Sequence, residues 1–230
     1  MAFTAHNIRL PDGSETLPGV PLTADTGICQ AALRDLKLAL PGGGRIADVG
    51  CLEGGYAAEF ARAGYDVVGV EVRAVNMANC QRIAEALDLP NLRFVRDDAR
   101  NLHRHGGFDA VFCCGLLYHL DGPVAFLNML GKITRRLLIL QTHYSDRPGT
   151  ENEGRRGHWY QDDPAADSRW GSWGNQRSFW LAIPDLCDAI RCAGFPLVFR
   201  QFDYLDDITT GSYAYSGHPG DRGMFTGVKP

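Results

Sequence analysis

The feature that most constrains this chain is the stretch RIADVGCLEGGYAAEFARAGYDVVGVEV, from Arg45 to Val72. A β-branched run ends in a glycine turn, a helix follows and closes at Gly64, and a second apolar run stops at Glu71. Continuous apolar strands joined by a helix are typical of a parallel sheet covered on both faces. The stretch therefore predicts an α/β fold whose glycine turn lies at the carboxyl edge of the sheet, where ligands of such sheets bind.

Apolar runs and helical segments alternate along the rest of the chain as well. Five helices are predicted, the first capped by Thr23 or Asp25, at about 23–40, 55–63, 75–87, 123–133 and 183–193. Seven strands are predicted, at 45–49, 66–70, 92–95, FDAVFCCG, RLLILQT, 197–202 and 224–228. The pattern breaks over 143–180, which predicts a long functional loop rich in Gly, Asp, Arg and Trp.

Composition narrows the class of protein. With 230 residues and 45% hydrophobic content, the chain can fold as one domain over 1–230 with a full core. A net charge of −4 and a pI of about 5.9, without a long Lys/Arg run, disfavour a nucleic-acid partner. No apolar stretch reaches the roughly 20 residues needed to cross a bilayer, so no membrane association is expected, and the N-terminus lacks the pattern of a signal peptide.

The seven cysteines are scattered and show no CxxC spacing. That distribution disfavours a metal site and indicates reduced, mostly buried thiols in a cytoplasmic protein. The sequence leaves the oligomeric state undetermined.

The glycine turn DVGCLEGG excludes two common phosphate sites. A dinucleotide site needs G-x-G-x-x-G, but Leu52 takes the place of the second glycine and Glu53 follows it. A carboxylate at that position is expected to repel a pyrophosphate. A P-loop is excluded because no Gly-Lys-Ser/Thr follows. The turn is therefore expected to hold an uncharged or cationic ligand.

Three acids fit such a ligand. Glu71 ends the second strand, where a carboxylate can accept hydrogen bonds from both hydroxyls of a ribose. Asp98 follows the third strand and can accept from an adenine amino group, with Asp97 as the competing residue. Asp48, in the first strand, can act through water on an ammonium group. The set describes a nucleoside that carries positive charge, and S-adenosylmethionine matches this description.

The segments ADVGCLEGG, RDDAR and FDAVFCCGLLYHL, together with the strand-end Glu71, resemble the class I S-adenosylmethionine-dependent methyltransferases over about 45–140. The resemblance implies a Rossmann-like, doubly wound, seven-stranded sheet, mostly parallel with an antiparallel last strand. It also implies cofactor contacts by Asp48, Gly50 and Gly54 at the methionine tail, by Glu71 at the ribose, by Asp98 and Ala99 at the adenine, and by Gly115 and Leu116 after the fourth strand. Cys51 and Val72 are further expected cofactor contacts.

Two later segments, GLLYHL and SFWL, look like the branch around tRNA wobble-uridine-modifying enzymes. Those enzymes act on RNA, whereas this chain is acidic. The resemblance is therefore carried over for the fold and not for the substrate.

Two histidines are candidate general bases, because each follows a strand at its carboxyl end. His119 follows strand four, and His143, the favoured candidate, follows strand five and leads into the long loop. Turnover is then expected to rise with pH near about 6.5, the ordinary pKa of histidine.

The segment 143–180 is expected to be a lid inserted after strand five, and 1–22 to cover the domain. Predicted acceptor contacts are aromatic and basic: Tyr118, Tyr144, Arg147, Trp159 and Trp173. The sequence thus predicts a cytoplasmic methyltransferase that acts on a small molecule at oxygen. Two alternatives remain open: a tRNA-modifying methyltransferase and a non-catalytic S-adenosylmethionine-binding subunit.

Overall fold

The structure is a computed structural model that describes residues 2–147, 149–161, 170–202 and 222–230. Its helices are α1 (Gly27–Ala39), α2 (Gly55–Arg62), α3 (Ala74–Leu87), α4 (Pro123–Ile133) and α5 (Ile183–Cys192). Its strands are β1 (Arg45–Val49), β2 (Asp66–Glu71), β3 (Leu92–Arg96), β4 (Phe108–Cys114), β5 (Thr134–His143), β6 (Thr150–Asn152), β7 (Arg155–Gln161), β8 (Arg177–Leu181), β9 (Leu197–Gln201) and β10 (Arg222–Val228).

The main sheet has seven strands in the order β3-β2-β1-β4-β5-β10-β9. The pairings among β1 to β5 are parallel, whereas β10 runs antiparallel to both β5 and β9. This confirms the predicted Rossmann-like fold with its antiparallel last strand. The carboxyl ends of β1, β2, β4 and β5 therefore meet at one edge, next to the start of β10.

Helices cover both faces of this sheet, as the continuous apolar strands predicted. Phe60 of α2 and Phe112 of β4 belong to the apolar cluster on one face. Leu127 of α4, Leu186 of α5 and Phe225 of β10 belong to the cluster on the other face. None of the described helices is both long and apolar enough to cross a membrane.

The first helix starts later than predicted. Thr23–Asp25 forms a short 3-10 turn, and α1 begins at Gly27 with Thr26 as its cap. The hydroxyl oxygen of Thr26 accepts a hydrogen bond of 3.3 Å from the backbone N–H of Cys29. Sequence alone could not choose among three neighbouring residues that all cap helices well.

The segment predicted as a long loop contains a second sheet. Strands β6, β7 and β8 pair antiparallel in that order. Phe179 and Leu181 of β8 are buried in the apolar cluster that also contains α4 and α5. Strand β6 has only three residues and β7 is exposed or half-buried at all but one position, so their alternation of polar and apolar residues was too weak to predict strands. Residues 162–169 lie outside the described part of the chain.

Candidate active site

A cavity of about 780 Å³ opens at the carboxyl edge of the main sheet. Its floor comes from the ends of β1, β2, β4 and β5. One side, the N-terminal wall, is formed by residues within 4–26, and another, the lid loop, by residues within 170–173. The N-terminal wall corresponds to the predicted cover segment, extended by the start of the first helix.

The glycine turn after β1 passes through the left-handed region three times, at Gly50 (φ 73°), Leu52 (φ 53°) and Gly54 (φ 82°). A leucine in this region is strained, and such strain concentrates at functional sites. The Leu52 backbone is held from both sides: its N–H donates to Glu71 Oε2 at 3.1 Å, and its carbonyl accepts from Cys80 Sγ at 3.1 Å. The turn thus keeps a glycine-like path where the sequence departs from glycine.

Glu53 does not face the cavity, so the predicted repulsion of a pyrophosphate was wrong in its cause. Its side chain is 1% exposed and accepts hydrogen bonds from the backbone N–H groups of Thr4, Ala5 and His6. Burial alone would raise the pKa of this carboxyl, but these N–H groups outweigh burial and the net shift is downward. Glu53 is a charged anchor for the N-terminal wall.

Gly54 also lies outside the cavity lining, contrary to the expectation that it contacts the methionine tail. An added Cβ there would come within 2.6 Å of the Phe94 ring, so Gly54 is required for packing and for the left-handed start of α2. Gly50 and Cys51, from the same turn, do line the cavity.

Asp48 lies at the floor of the cavity and is 1% exposed. Its Oδ2 atom has no hydrogen-bond partner among the described residues. Burial raises its pKa to about 7, although a backbone hydrogen bond from Ala57 opposes the shift. A buried carboxylate oxygen that lacks a donor fits a cationic ligand group, such as an ammonium reached directly or through water.

Glu71 is 4% exposed, lines the cavity, and is held in a fixed orientation. Its Oε1 accepts the backbone N–H of Arg73 at 2.7 Å, and its Oε2 accepts that of Leu52. Burial raises its pKa, and the Arg73 contacts and other hydrogen bonds oppose the rise. Val72, a further predicted cofactor contact, also lines the cavity.

The two acids after β3 differ in their partners. Asp97 is bound within the chain, by Asn101 Nδ2 at 2.9 Å and by His105 Nε2 at 2.8 Å. Asp98 pairs with Arg100 through both carboxylate oxygens, at 2.9 and 2.6 Å. Both acids line the cavity with Ala99, and Asp98 has the single side-chain partner, so it stays the favoured contact for an adenine amino group.

The two candidate bases lie in different surroundings. His119 lines the cavity with Gly115, Leu116 and Tyr118, and its Nδ1 lies 3.4 Å from Ser172 Oγ of the lid loop. Burial, with a contribution from nearby arginines, lowers the His119 pKa to about 4.

His143 does not line the cavity, so the expectation that it faces the acceptor was wrong. Its ring stacks on Trp180 at 4.5 Å and packs edge-on against Tyr118. Its Nε2 accepts a hydrogen bond of 3.1 Å from Arg222 Nε. Burial and Arg222 lower its pKa to about 3. The histidine at the end of β5 thus packs among Tyr118, Trp180 and Arg222, and His119 replaces it as the candidate base.

Two of the predicted acceptor contacts, Tyr118 and Trp173, line the cavity. The other three do not. Trp159 packs edge-on against Phe179 at 5.0 Å, Tyr144 accepts a hydrogen bond from Arg200 at 3.2 Å, and Arg147 is exposed. Trp159 packs within the second sheet, whereas Tyr144 contacts Arg200 of β9 in the main sheet.

Three arginines of the cavity lining were not predicted: Arg73, Arg100 and Arg222. The signal for Arg222 was available, because the first residue of an antiparallel last strand must lie at the carboxyl edge of its parallel neighbour. Its register partner is His143, the last residue of β5. Arg73 and Arg100 each follow an acid by two residues, and both reach the lid loop.

Comparison with known proteins agrees with this geometry. Residues 46–137 match the family described as methyltransferase domain. Over this segment the chain is similar to a methyltransferase domain. The matched residues include the glycine turn, Glu71, Asp98, Gly115 and His119, so the family match and the cavity coincide.

Two curated relatives match in sequence. A tRNA U34 carboxymethyltransferase of Pseudomonas putida is 30% identical over 142 residues, covering 56% of this chain and 44% of the relative. A ubiquinone biosynthesis O-methyltransferase of Albidiferax ferrireducens is 27% identical over 95 residues, covering 40% and 38%. The match thus spans less than half the length of each relative.

Solved structures share the fold. The N-terminal domain of EvdMO1, in the presence of S-adenosylhomocysteine and D-fucose, superposes with a TM-score of 0.74 at 22% identity, covering 93% of this chain and 89% of that chain. A 1,6-didemethyltoxoflavin-N1-methyltransferase of Burkholderia thailandensis gives a TM-score of 0.59 at 18% identity, covering 90% and 80%. At these identities the likeness concerns the fold.

Proposed function

We propose that this chain transfers the methyl group of S-adenosylmethionine to an oxygen atom of a small-molecule acceptor. The observation that carries the proposal is His119, a histidine that lines the cavity and whose Nδ1 lies 3.4 Å from Ser172 Oγ of the lid loop. A hydroxyl acceptor benefits from such a base, whereas an amine needs it less. In this proposal residues 1–230 act as one domain, in the cytoplasm, where the seven free cysteines stay reduced.

The residues of the cavity fit the cofactor part by part. Asp48 offers an unpartnered carboxylate oxygen to the ammonium group, Glu71 a fixed carboxylate to the ribose, and Asp98 an acceptor to the adenine. When bound, S-adenosylmethionine supplies an electrophilic methyl group on a sulfonium. The contribution of the chain is to orient the acceptor, to exclude water and to take up one proton.

The proton is taken up at His119. A ring nitrogen of the neutral imidazole accepts a hydrogen bond from the acceptor hydroxyl and receives its proton as the new bond to oxygen forms. Ser172 Oγ, 3.4 Å from Nδ1, helps to orient the ring. Trp173 and Tyr118 offer flat surfaces to an acceptor and exclude water.

A second function, modification of tRNA, is favoured by one observation, the Pseudomonas putida relative. The charge of −4 argues against it, because RNA binding usually shows a basic surface. Bulk tRNA binding with a steep salt dependence would support the tRNA function.

The test of the proposal is methyl transfer from labelled S-adenosylmethionine to pooled phenolic, alcoholic and amine metabolites. We expect label in hydroxyl-bearing products. Label found only in amine products would contradict transfer to oxygen. Cofactor binding without any transfer would favour the non-catalytic subunit.

A further inference from the structure

Glu53 lies in the glycine turn, but its side chain does not line the cavity. It contacts the first residues of the chain instead. Besides the N–H groups of Thr4, Ala5 and His6, its carboxylate accepts the Thr4 hydroxyl at 3.1 Å and Asn79 Nδ2 at 3.1 Å. Successive backbone N–H groups that converge on one anion form a strong, charge-assisted site. The carboxylate is therefore fully committed to holding this segment.

His6 adds a second attachment to the same turn. Its Nδ1 accepts a hydrogen bond of 2.9 Å from the backbone N–H of Gly55, the first residue of α2. Burial lowers the pKa of His6 to about 4, so the ring stays neutral and can accept at neutral pH. An added Cβ on Gly55 would come within 2.6 Å of this ring, so the contact is close.

The segment held in this way forms part of the ligand cavity. Thr4, Ala5 and His6 line it next to Gly55 at the start of α2, and Asp48 accepts a backbone hydrogen bond from Ala57 of the same helical turn. The His6 and Tyr56 rings pack edge-on at 5.1 Å. This is the end of the cavity that fits the methionine tail. Glu71 and Asp98, which fit the adenosine, lie at the ends of other strands.

We infer that Glu53 is a positioning residue: without touching the cofactor, it fixes the N-terminal wall that closes the cavity over the methionine tail. The inference rests on the assignment of S-adenosylmethionine to this cavity. It predicts that loss of the Glu53 charge lowers the affinity for ligands that carry the methionine tail and leaves the affinity for ligands that end at the ribose unchanged. General destabilisation of the fold would lower the affinity for both kinds of ligand.

The experiment uses Glu53→Gln, which keeps the shape but turns an amide N–H₂ toward backbone N–H donors. Calorimetry compares S-adenosylhomocysteine with adenosine. We expect the affinity for S-adenosylhomocysteine to fall by roughly tenfold or more, in line with loss of charged hydrogen bonds, while the affinity for adenosine changes by less than about twofold. Hydrogen exchange at the amides of Thr4, Ala5 and His6 is expected to accelerate.

Asp35→Asn is the matched control. Asp35 is also a buried carboxylate with several donors, Gln201 and Thr226, but it joins α1 to β9 and β10. It should lower thermal stability without changing the ratio of the two affinities. If Glu53→Gln does not fold, Asn79→Leu removes one donor to Glu53 and should show the same selectivity with a smaller loss.

Two results would overturn the inference. One is an equal loss of affinity for S-adenosylhomocysteine and adenosine. The other is an unchanged affinity for S-adenosylhomocysteine although the amide hydrogens of residues 4–6 exchange rapidly. A parent protein that binds adenosine but no S-adenosylhomocysteine would instead overturn the cofactor assignment itself.

Discussion

The N-terminal wall and the lid loop border the same cavity but are held by different kinds of contact. The N-terminal wall is held by Glu53, whose carboxylate is 1% exposed and accepts hydrogen bonds from the backbone of the wall. The lid loop is held by two arginines. Arg73 donates hydrogen bonds to the Gly171 and Ser172 carbonyls, and Arg100 donates to the Trp173 carbonyl at 3.1 Å. Trp173 itself is 48% exposed.

The difference has an energetic consequence. Freeing the wall would take from the Glu53 carboxylate all its described donors except Asn79, and loss of charged hydrogen bonds at a buried group costs more than loss of a surface hydrogen bond. Freeing the lid loop returns carbonyls and guanidinium groups to water, which solvates them. We therefore expect the wall to stay closed in the free protein, and the lid loop to open for the acceptor.

The largest expected effect is on the lid side. His119→Ala should lower turnover by about 10² to 10⁴, the usual range for loss of a general base, with little change in cofactor affinity. His143→Ala, at a ring stacked on Trp180 outside the cavity lining, is the control and should lower turnover by less than about tenfold. A parental rate in His119→Ala, with a large loss in His143→Ala, would return the role to His143.

The pH profile sharpens this test. Because the His119 pKa is lowered to about 4, the base is already unprotonated at pH 5.5, and the rate at saturating cofactor should stay nearly flat from there to pH 8. A limb near about 6.5, as the sequence suggested, would mean that the ring is not buried during turnover.

The next largest effect concerns the floor that both sides share. Glu71→Ala should weaken S-adenosylhomocysteine binding by about 1.5–3 kcal/mol, because a charged hydrogen-bond partner is lost. Calorimetry measures the change. Glu85→Ala, an exposed acid on α3, is the control and should bind like the parent. Unlike Glu53→Gln, Glu71→Ala should also lower the affinity for adenosine.

Asp48, on the side of the N-terminal wall, predicts an intermediate effect that depends on pH. Its pKa is about 7 in the free protein, so below pH 7 it must lose a proton before it can pair with an ammonium group. Affinity for S-adenosylhomocysteine should therefore rise with pH, by up to about tenfold per unit below pH 7, and level off above it. Titrations at pH 6, 7 and 8 check this, and Asp48→Asn should abolish the slope.

The smallest effect tests the comparison most directly. Arg73→Ala removes the hydrogen bonds to the Gly171 and Ser172 carbonyls and should cost about 0.5–1.5 kcal/mol, seen mainly as a higher acceptor KM. Hydrogen exchange should accelerate in the lid loop and stay unchanged at residues 4–6. Glu53→Gln should give the opposite pattern, and the same pattern in both variants would mean that the two sides move together.

Most of the fold could be predicted from the sequence because its strands and helices depend on the local spacing of apolar residues. The apolar runs at β1, β2, β4 and β5 and the helices between them follow directly from period and caps. The second sheet was missed because β6 has only three residues and β7 carries Arg155, Arg156, Trp159 and Tyr160 in place of a regular alternation of apolar and polar residues. Their stability comes from Phe179 and Leu181 packing against α4 and α5, which no local window contains.

The sequence by itself determined which chemical groups reach the carboxyl edge of the sheet: Asp48, Glu71 and Asp98 stand at strand ends, and strand ends meet in a parallel sheet. Only the tertiary structure decided which way side chains in turns and at strand ends face. Glu53 turned toward partners 47 to 49 residues away, and His143 turned toward Trp180 and Arg222. The reason is physical: a turn or strand end leaves a side chain several accessible directions, and the choice falls to the donors and rings that distant segments bring near it.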